Sequence, residues 1–349
     1  MFDIEAIVRN NIKALKPYSS ARDEFHGAAT IFLDANENSY GSPLRQQYNR
    51  YPDPLQHALK EKISKVKGVP AENIFLGNGS DEAIDILFRI FCEPGRDNVI
   101  ICPPTYGMYE VSANINNVEV KKVPLLADFQ LDVESILESV DDNSRLLFIC
   151  SPNNPTGNSI HPDDIELLIQ KFPGIVAIDE AYINYSKQSS FIKLLTEYPN
   201  LVILQTFSKA WGLAALRLGM AFASANIIGY MNKVKPPYNI NESTQQLASQ
   251  ALDNIQWVNE HIRETVSERA KLAEQLRPLS VVQKIYPTDA NFLLVKVTEP
   301  DKIYHYLTDK GIVVRNRSKV TLCEGCLRIT IGTKEENVSL IESLKQFAG

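Results

Sequence analysis

The sequence predicts an α/β protein, with a large domain built on a mainly parallel sheet between helices and a smaller α+β C-terminal domain. Three observations carry this expectation. The chain has 349 residues, about two domains at roughly 150 residues each. Between residues 73 and 223, short apolar runs alternate with helical patterns, as in parallel strands covered on both faces. Beyond Asn241, a long periodicity of three and four leads into a segment with two further apolar runs and a closing helix.

In chain order, the first 30 residues, with Pro17 and Tyr18, read as an arm that must pack elsewhere. The large domain is expected over residues 31–245, with strands at 74–76, 99–101, 118–123, 145–149, 175–178, 201–204 and 218–222. A helix opens at Ser80, because Ile84, Leu87, Phe88 and Phe91 fall on one face. One long helix after Asn241 is marked by Leu247, Ala251, Ile255, Val258, Ile262 and Val266. The small domain, residues 246–349, takes strands near 291–297 and 327–331 and a helix near 334–347, leaving a cleft between the two domains.

Composition narrows the function. With 36 Lys and Arg against 42 Asp and Glu, the formal charge is −6, and no basic stripe suits a nucleic acid. The N-terminus lacks an apolar signal core, and the apolar runs are too short to span a bilayer, so a cytoplasmic protein is expected. Of the five cysteines, Cys92, Cys102 and Cys150 sit in apolar segments, whereas Cys323 and Cys326 form a lone C-x-x-C. The nearest histidine to that pair is His305, so no metal site is expected.

Active residues of open α/β sheets gather at the carboxyl ends of strands. Four such places carry polar groups. In Gln205-Thr206-Phe207-Ser208-Lys209 a strand runs into an amine, with the fixed cation Arg217 eight residues on. A buried lysine becomes nucleophilic toward carbonyl cofactors, although a solvated surface lysine is the commoner case. Asp179, Glu180, Ala181 and Tyr182 come directly after the fifth apolar run. A carboxylate there could hold a proton on a heteroaromatic nitrogen, or simply cap a helix. Ser151-Pro152-Asn153-Asn154-Pro155-Thr156-Gly157 is a rigid turn that also offers two side-chain amides. Gly77-Asn78-Gly79-Ser80-Asp81-Glu82 opens a helix and could bind an anion, or its acids could merely offset the helix dipole. It is no dinucleotide fingerprint, since Glu82 stands where a third glycine belongs, and no Gly-Lys-Ser/Thr makes it a P-loop.

Together, the order Gly-Ser-Asp, Asn-Pro-Thr-Gly, Asp-x-x-Tyr, Ser-Lys and Arg resembles the fold-type I enzymes of pyridoxal 5′-phosphate (PLP), specifically the class I and II aminotransferases. The match runs over nearly the whole chain and is most specific at Ser208-Lys209 and Arg217. Leu33-Asp34-Ala35-Asn36-Glu37-Asn38, Tyr51-Pro52-Asp53, Thr206 to Leu213, and Gly325-Cys326-Leu327-Arg328-Ile329-Thr330-Ile331-Gly332 are similar to the histidinol-phosphate aminotransferase family. So is the arm Pro17-Tyr18-Ser19-Ser20-Ala21-Arg22, whereas Trp211 fills a position often taken by a smaller aromatic.

The resemblance implies a homodimer with sites near the subunit interface, and it implies roles. Lys209 would bind PLP and shuttle the proton, Asp179 would pair with the ring nitrogen, and Asn154 and Tyr182 would hold the ring hydroxyl. Tyr106 would stack on the ring. Gly79, Ser80, Asp81, Thr206, Ser208 and Arg217 would hold the cofactor phosphate, joined by Tyr51 of the other subunit's chain. Arg328 and Arg315 would grip the anionic end of the substrate, with Tyr18 and Asn36 in the pocket wall, and Arg315 could equally be a surface residue. The implied reaction moves an amino group from L-histidinol phosphate to 2-oxoglutarate. An aromatic amino-acid aminotransferase and a threonine-phosphate decarboxylase on the same scaffold are the alternatives.

Overall fold

In a computed structural model, which describes residues 2–18, 30–44 and 46–348, the seven apolar runs of the large domain become one sheet. Its strands are β1 (Ile74–Asn78), β2 (Asn98–Ile101), β3 (Glu119–Lys122), β4 (Ser144–Cys150), β5 (Ile175–Asp179), β6 (Leu201–Thr206) and β7 (Leu218–Ala223), in the order β1-β7-β6-β5-β4-β2-β3. Neighbours pair in parallel except for β7, which runs antiparallel to both β1 and β6. All five residues of β5 are buried because helices cover both sides. Its side chains alternate accordingly, Val176 and Ile178 entering one apolar core and Ile175 and Ala177 the other.

A second sheet, antiparallel throughout, orders its strands β10-β11-β9-β8: β8 (Val282–Ile285), β9 (Phe292–Val297), β10 (Arg315–Asn316) and β11 (Cys326–Thr330). Leu293, Val295, Leu327 and Ile329 pack there with Ile303 and Leu340, from the Pro300–Asp309 and Lys334–Ala348 helices, in a core of their own. The apolar runs alone do not mark β8, β10 or the Pro300–Asp309 helix. Among the described residues no helix is long and apolar enough to cross a membrane.

Two expectations need correcting. The periodicity after Asn241 predicts one helix, and the structure has two, Glu242–Leu252 and Ile255–Leu276. Asp253 and Asn254 interrupt them: Lys62 Nζ binds the Asp253 carboxylate at 2.7 Å, and Asn254 Nδ2 caps the Gln250 carbonyl at 3.0 Å. The break re-aims the chain, so Ala248 and Leu252 join the large core while Leu272 and Leu276 join the small one. The start of the arm does not pack elsewhere. Ile4, Val8 and Ile12, on or beside the short helices Ile4–Ile7 and Asn10–Ala14, are buried in the same core as Ile90 and Phe91, and Arg9 binds Glu93 at 3.0 Å. Residues 19–29, which include Ser19 to Arg22 of the arm motif, lie outside the described residues.

At the carboxyl end of β1 the sheet meets the Gly79–Phe91 helix at unusually short range. Gly219 of β7 pairs with Gly77 of β1 and Thr206 of β6, and a Cβ on it would lie 2.1 Å from Ser80 N and 2.2 Å from Gly79 C. Real Cβ atoms do not come that near a backbone, so this position requires glycine. Gly219→Ala is therefore expected to cost at least about 3 kcal/mol by overpacking. The midpoint of urea unfolding checks this, and a midpoint equal to that of the parent protein would show that β7 can retreat freely.

Candidate active site

The close approach at Gly219 shapes an anion-binding cup. Gly79 takes φ +73°, and its N–H donates to the Arg217 carbonyl at 2.6 Å. Arg217 is itself left-handed (φ +51°), ending the short helical turn Ala214–Leu216. This conformation sends the carbonyl toward Gly79, and the guanidinium reaches the helix start as well. Nη1 donates to Ser208 Oγ at 3.3 Å, and Nη2 lies 3.5 Å from the Asp81 carboxylate. Asn78 makes no side-chain cap, so the first-turn N–H groups and the positive end of a 13-residue helix face the cup. Thr206 Oγ1 braces it from below, accepting from Ser208 N at 3.0 Å.

The cup is one end of a cavity of about 760 Å³. Asp179, Tyr182, Asn154 and Lys209 line its floor, Tyr106 one wall, and Arg315, Arg317 and Arg328 reach in from the small sheet. Five basic side chains thus face two carboxylates, Asp81 and Asp179, and such a space favours anions.

Asp179, at the end of β5, is fully buried. It accepts from Tyr109 Oη at 2.7 Å and from Ala181 N at 3.0 Å. Burial pushes its pKa up, and these two hydrogen bonds oppose the shift. Lys209 is pushed the other way, below the ordinary lysine range, by burial first and then by Arg328, with Asp179 opposing. Its Nζ stands 5.6 Å from the centre of the Tyr182 ring. Burial raises the Tyr182 and Tyr106 phenols, so both stay protonated, and Tyr106 Oη donates to Asp81 Oδ1 at 3.0 Å. Arg328 lies over the Phe292 ring and donates to Asn154 Oδ1, which leaves the Asn154 amide nitrogen free to donate.

Thirteen of the sixteen residues singled out in the sequence thus line one cavity, and Tyr18, Asn36 and Tyr51 do not. Tyr18 borders a separate cavity of about 420 Å³ beside Pro54 and Lys235. Asn36 is exposed with φ +53°, and Tyr51 stacks on Tyr238 at 4.5 Å, half of its surface open. Two residues escaped the sequence reading. Tyr109 lies three positions beyond Tyr106, and only its hydrogen bond to Asp179 reveals its part. Arg317 stands two positions after Arg315 and so shares its face of the strand, a pattern visible only once a strand is known there. All five cysteines are free and buried, and among the described residues no three His, Cys, Asp or Glu side chains gather to hold a metal.

These residues suit PLP on their own chemistry. The cup offers backbone donors and a guanidinium for a phosphate, the buried Asp179 can face a pyridinium nitrogen, and the amine of Lys209 has lost part of its hold on its proton. The comparisons agree with this kind of site. The model of the family "Aminotransferase class I and II" matches residues 33–344, and the chain belongs to that family. Within it, the chain is similar to proteins named histidinol-phosphate aminotransferase. It is 53% identical to the one from Cytophaga hutchinsonii over 346 residues, and 54% identical to the one from Parabacteroides distasonis over 345, each alignment covering 99% of both chains. The crystal structure of the histidinol-phosphate aminotransferase from Clostridium acetobutylicum superposes with a TM-score of 0.79 at 25% identity, covering 86% of this chain and 91% of that one.

Tyr109→Phe removes one of the two donors on a buried carboxylate, and about 2 kcal/mol of stability is expected to go with it. Because the bond favours the ionised form, the deficit should be largest near neutral pH. It should shrink as the pH falls through the raised pKa of Asp179, where the carboxyl takes its proton. Urea unfolding of both proteins at neutral and acid pH checks the size and the sign.

Proposed function

We propose that this chain is a PLP-dependent histidinol-phosphate aminotransferase, moving the amino group of L-histidinol phosphate to 2-oxoglutarate in histidine biosynthesis. The observation that carries the reading is full-length identity above 50% to relatives of that name, joined to a cavity that pairs a strand-end lysine and carboxylate with a surplus of guanidinium groups.

When bound, PLP supplies an electron sink that acidifies the substrate Cα–H. The cup of Gly79, Ser80, Asp81, Thr206, Ser208 and Arg217 would hold its phosphate, and Tyr106 would cover the ring. Asp179 would keep a proton on the ring nitrogen, and Tyr182 and the amide nitrogen of Asn154 would donate to the ring hydroxyl. Lys209 Nζ would take up the proton from the substrate Cα as its ammonium, an intramolecular transfer that needs no outside base. Burial and the Arg328 charge lower its proton affinity, which eases release of the proton it takes up. Arg315 and Arg328 bind the anionic end of either substrate.

An assembly of two copies belongs to the same proposal. The stretch 31–51 exposes Ile31, Leu33, Tyr40, Leu44 and Tyr51, an apolar surface that a second copy would cover. From there Tyr51 would reach the other copy's cofactor phosphate, and Tyr18 and Asn36 would join a pocket wall. We also place the domain boundary at the Asp253–Asn254 break between the two helices, beyond the residue 245 expected from the sequence, since Ala248 and Leu252 join the large core.

The reading is tested one half-reaction at a time. L-histidinol phosphate alone is expected to move the visible absorption band of the holoprotein into the near ultraviolet, and 2-oxoglutarate to restore it. A band that answers only to phenylalanine or tyrosine would replace the substrate, and release of CO2 would replace the reaction. Lys209→Ala should slow the exchange by at least about a thousandfold.

A further inference from the structure

Three guanidinium groups enter the cavity from the small sheet, and among the described residues only one of them, Arg328, has a side-chain partner there. The register of β10 and β11 sets Arg315 directly opposite Arg328. Arg317 continues the same edge, its N–H donating to the Cys326 carbonyl at 2.9 Å, and alternation returns its side chain to the face that Arg315 occupies. Arg328 is held by Asn154 and Phe292. Among the described residues neither Arg315 nor Arg317 pairs with a carboxylate, and Arg317 Nε is enclosed with no hydrogen-bond partner at all. Burial and the nearby Arg328 and Arg315 charges all act against the Arg317 cation. A half-buried guanidinium with an enclosed, unpaired Nε beside two others is costly to fold, and a bound anion supplies both the missing acceptor and the missing charge.

We propose that Arg317 is a third anchor of the substrate's anionic end and selects for a phosphate ester over a carboxylate. The inference rests on the reaction proposed above and adds to it a residue and a ground for selectivity. A phosphate ester near neutral pH carries close to two negative charges on three acceptor oxygens, whereas a carboxylate carries one charge on two. Arg315 and Arg328 suffice for a carboxylate. The third fork has a partner only when a third oxygen arrives, so phosphate gains more from Arg317 than a keto acid does.

The test uses holoprotein and the variants Arg317→Gln and Arg317→Lys. Calorimetric binding of inorganic phosphate to the holoprotein is expected to weaken about tenfold in Arg317→Gln, with partial recovery in Arg317→Lys. The KM for L-histidinol phosphate should rise by a similar factor, and that for 2-oxoglutarate by no more than about threefold. Equal losses for both substrates, or phosphate binding as tight as in the parent protein, would overturn the proposal. Should the parent protein leave L-histidinol phosphate unconverted, the reaction proposed above fails. The phosphate titration still decides the place of Arg317.

Discussion

The site depends on how closely β7 lies against the beginning of the Gly79–Phe91 helix. Without a Cβ at Gly219, the strand can approach until Gly79 N–H reaches the Arg217 carbonyl at 2.6 Å. That contact fixes the left-handed turn at Arg217, and the turn aims the guanidinium at the helix N-terminus. Because β7 is the one strand reversed in the large sheet, it brings Arg217 back to the edge where β5 and β6 deliver Asp179 and Lys209. Backbone geometry thus assembles a cation, a helix terminus, a carboxylate and an amine within one space before any ligand is considered.

The electrostatics of that space come from the surroundings of each group. Asp179 and Lys209 are both displaced toward their neutral forms by burial, and each partly restrains the other. Tyr109 holds Asp179 from the side away from the cavity, its own ring fixed by stacking on Phe148 at 4.7 Å. On the small-sheet side the balance tips to positive charge, with Arg328 anchored and its neighbours unpaired. The bond from Arg328 to Asn154 ties the anion-holding end to the floor, beside the bonds that Asp289 N and Thr288 Oγ1 donate to the Gly157 carbonyl across the same junction.

Much of the large sheet was legible because strands buried on both faces leave continuous apolar runs, as in Ile175-Val176-Ala177-Ile178. The small sheet was only half legible. β9 and β11 are apolar, whereas β8 has two exposed residues between two half-buried ones, and β10 has two polar residues. The break at Asp253 was invisible to periodicity, since apolar residues keep their spacing across it and side-chain capping does the work. In the site, Asp179, Asn154 and Lys209 were legible because each stands just past the carboxyl end of an apolar run. Tyr109 could not be found this way, because its partner lies 70 positions away. Arg317 needed the pairing of β10 with β11 to acquire a face.

The five enclosed thiols have a use that the chemistry of the site does not exhaust. Burial raises the pKa of every one of them, to about 12 for Cys323 just before β11 and to about 11 for Cys326 at its start. At neutral pH they are therefore both shielded and almost wholly un-ionised, inert toward alkylating reagents while the fold is closed. Any labelling reports an opening event. Cys323 and Cys326 pack in the same apolar cluster as Cys102, where the small sheet meets the large one, while Cys92 and Cys150 lie in the cluster on the other side of the large sheet. Labelling of the first three therefore reports the two halves parting, and labelling of the other two reports the opening of the large core itself.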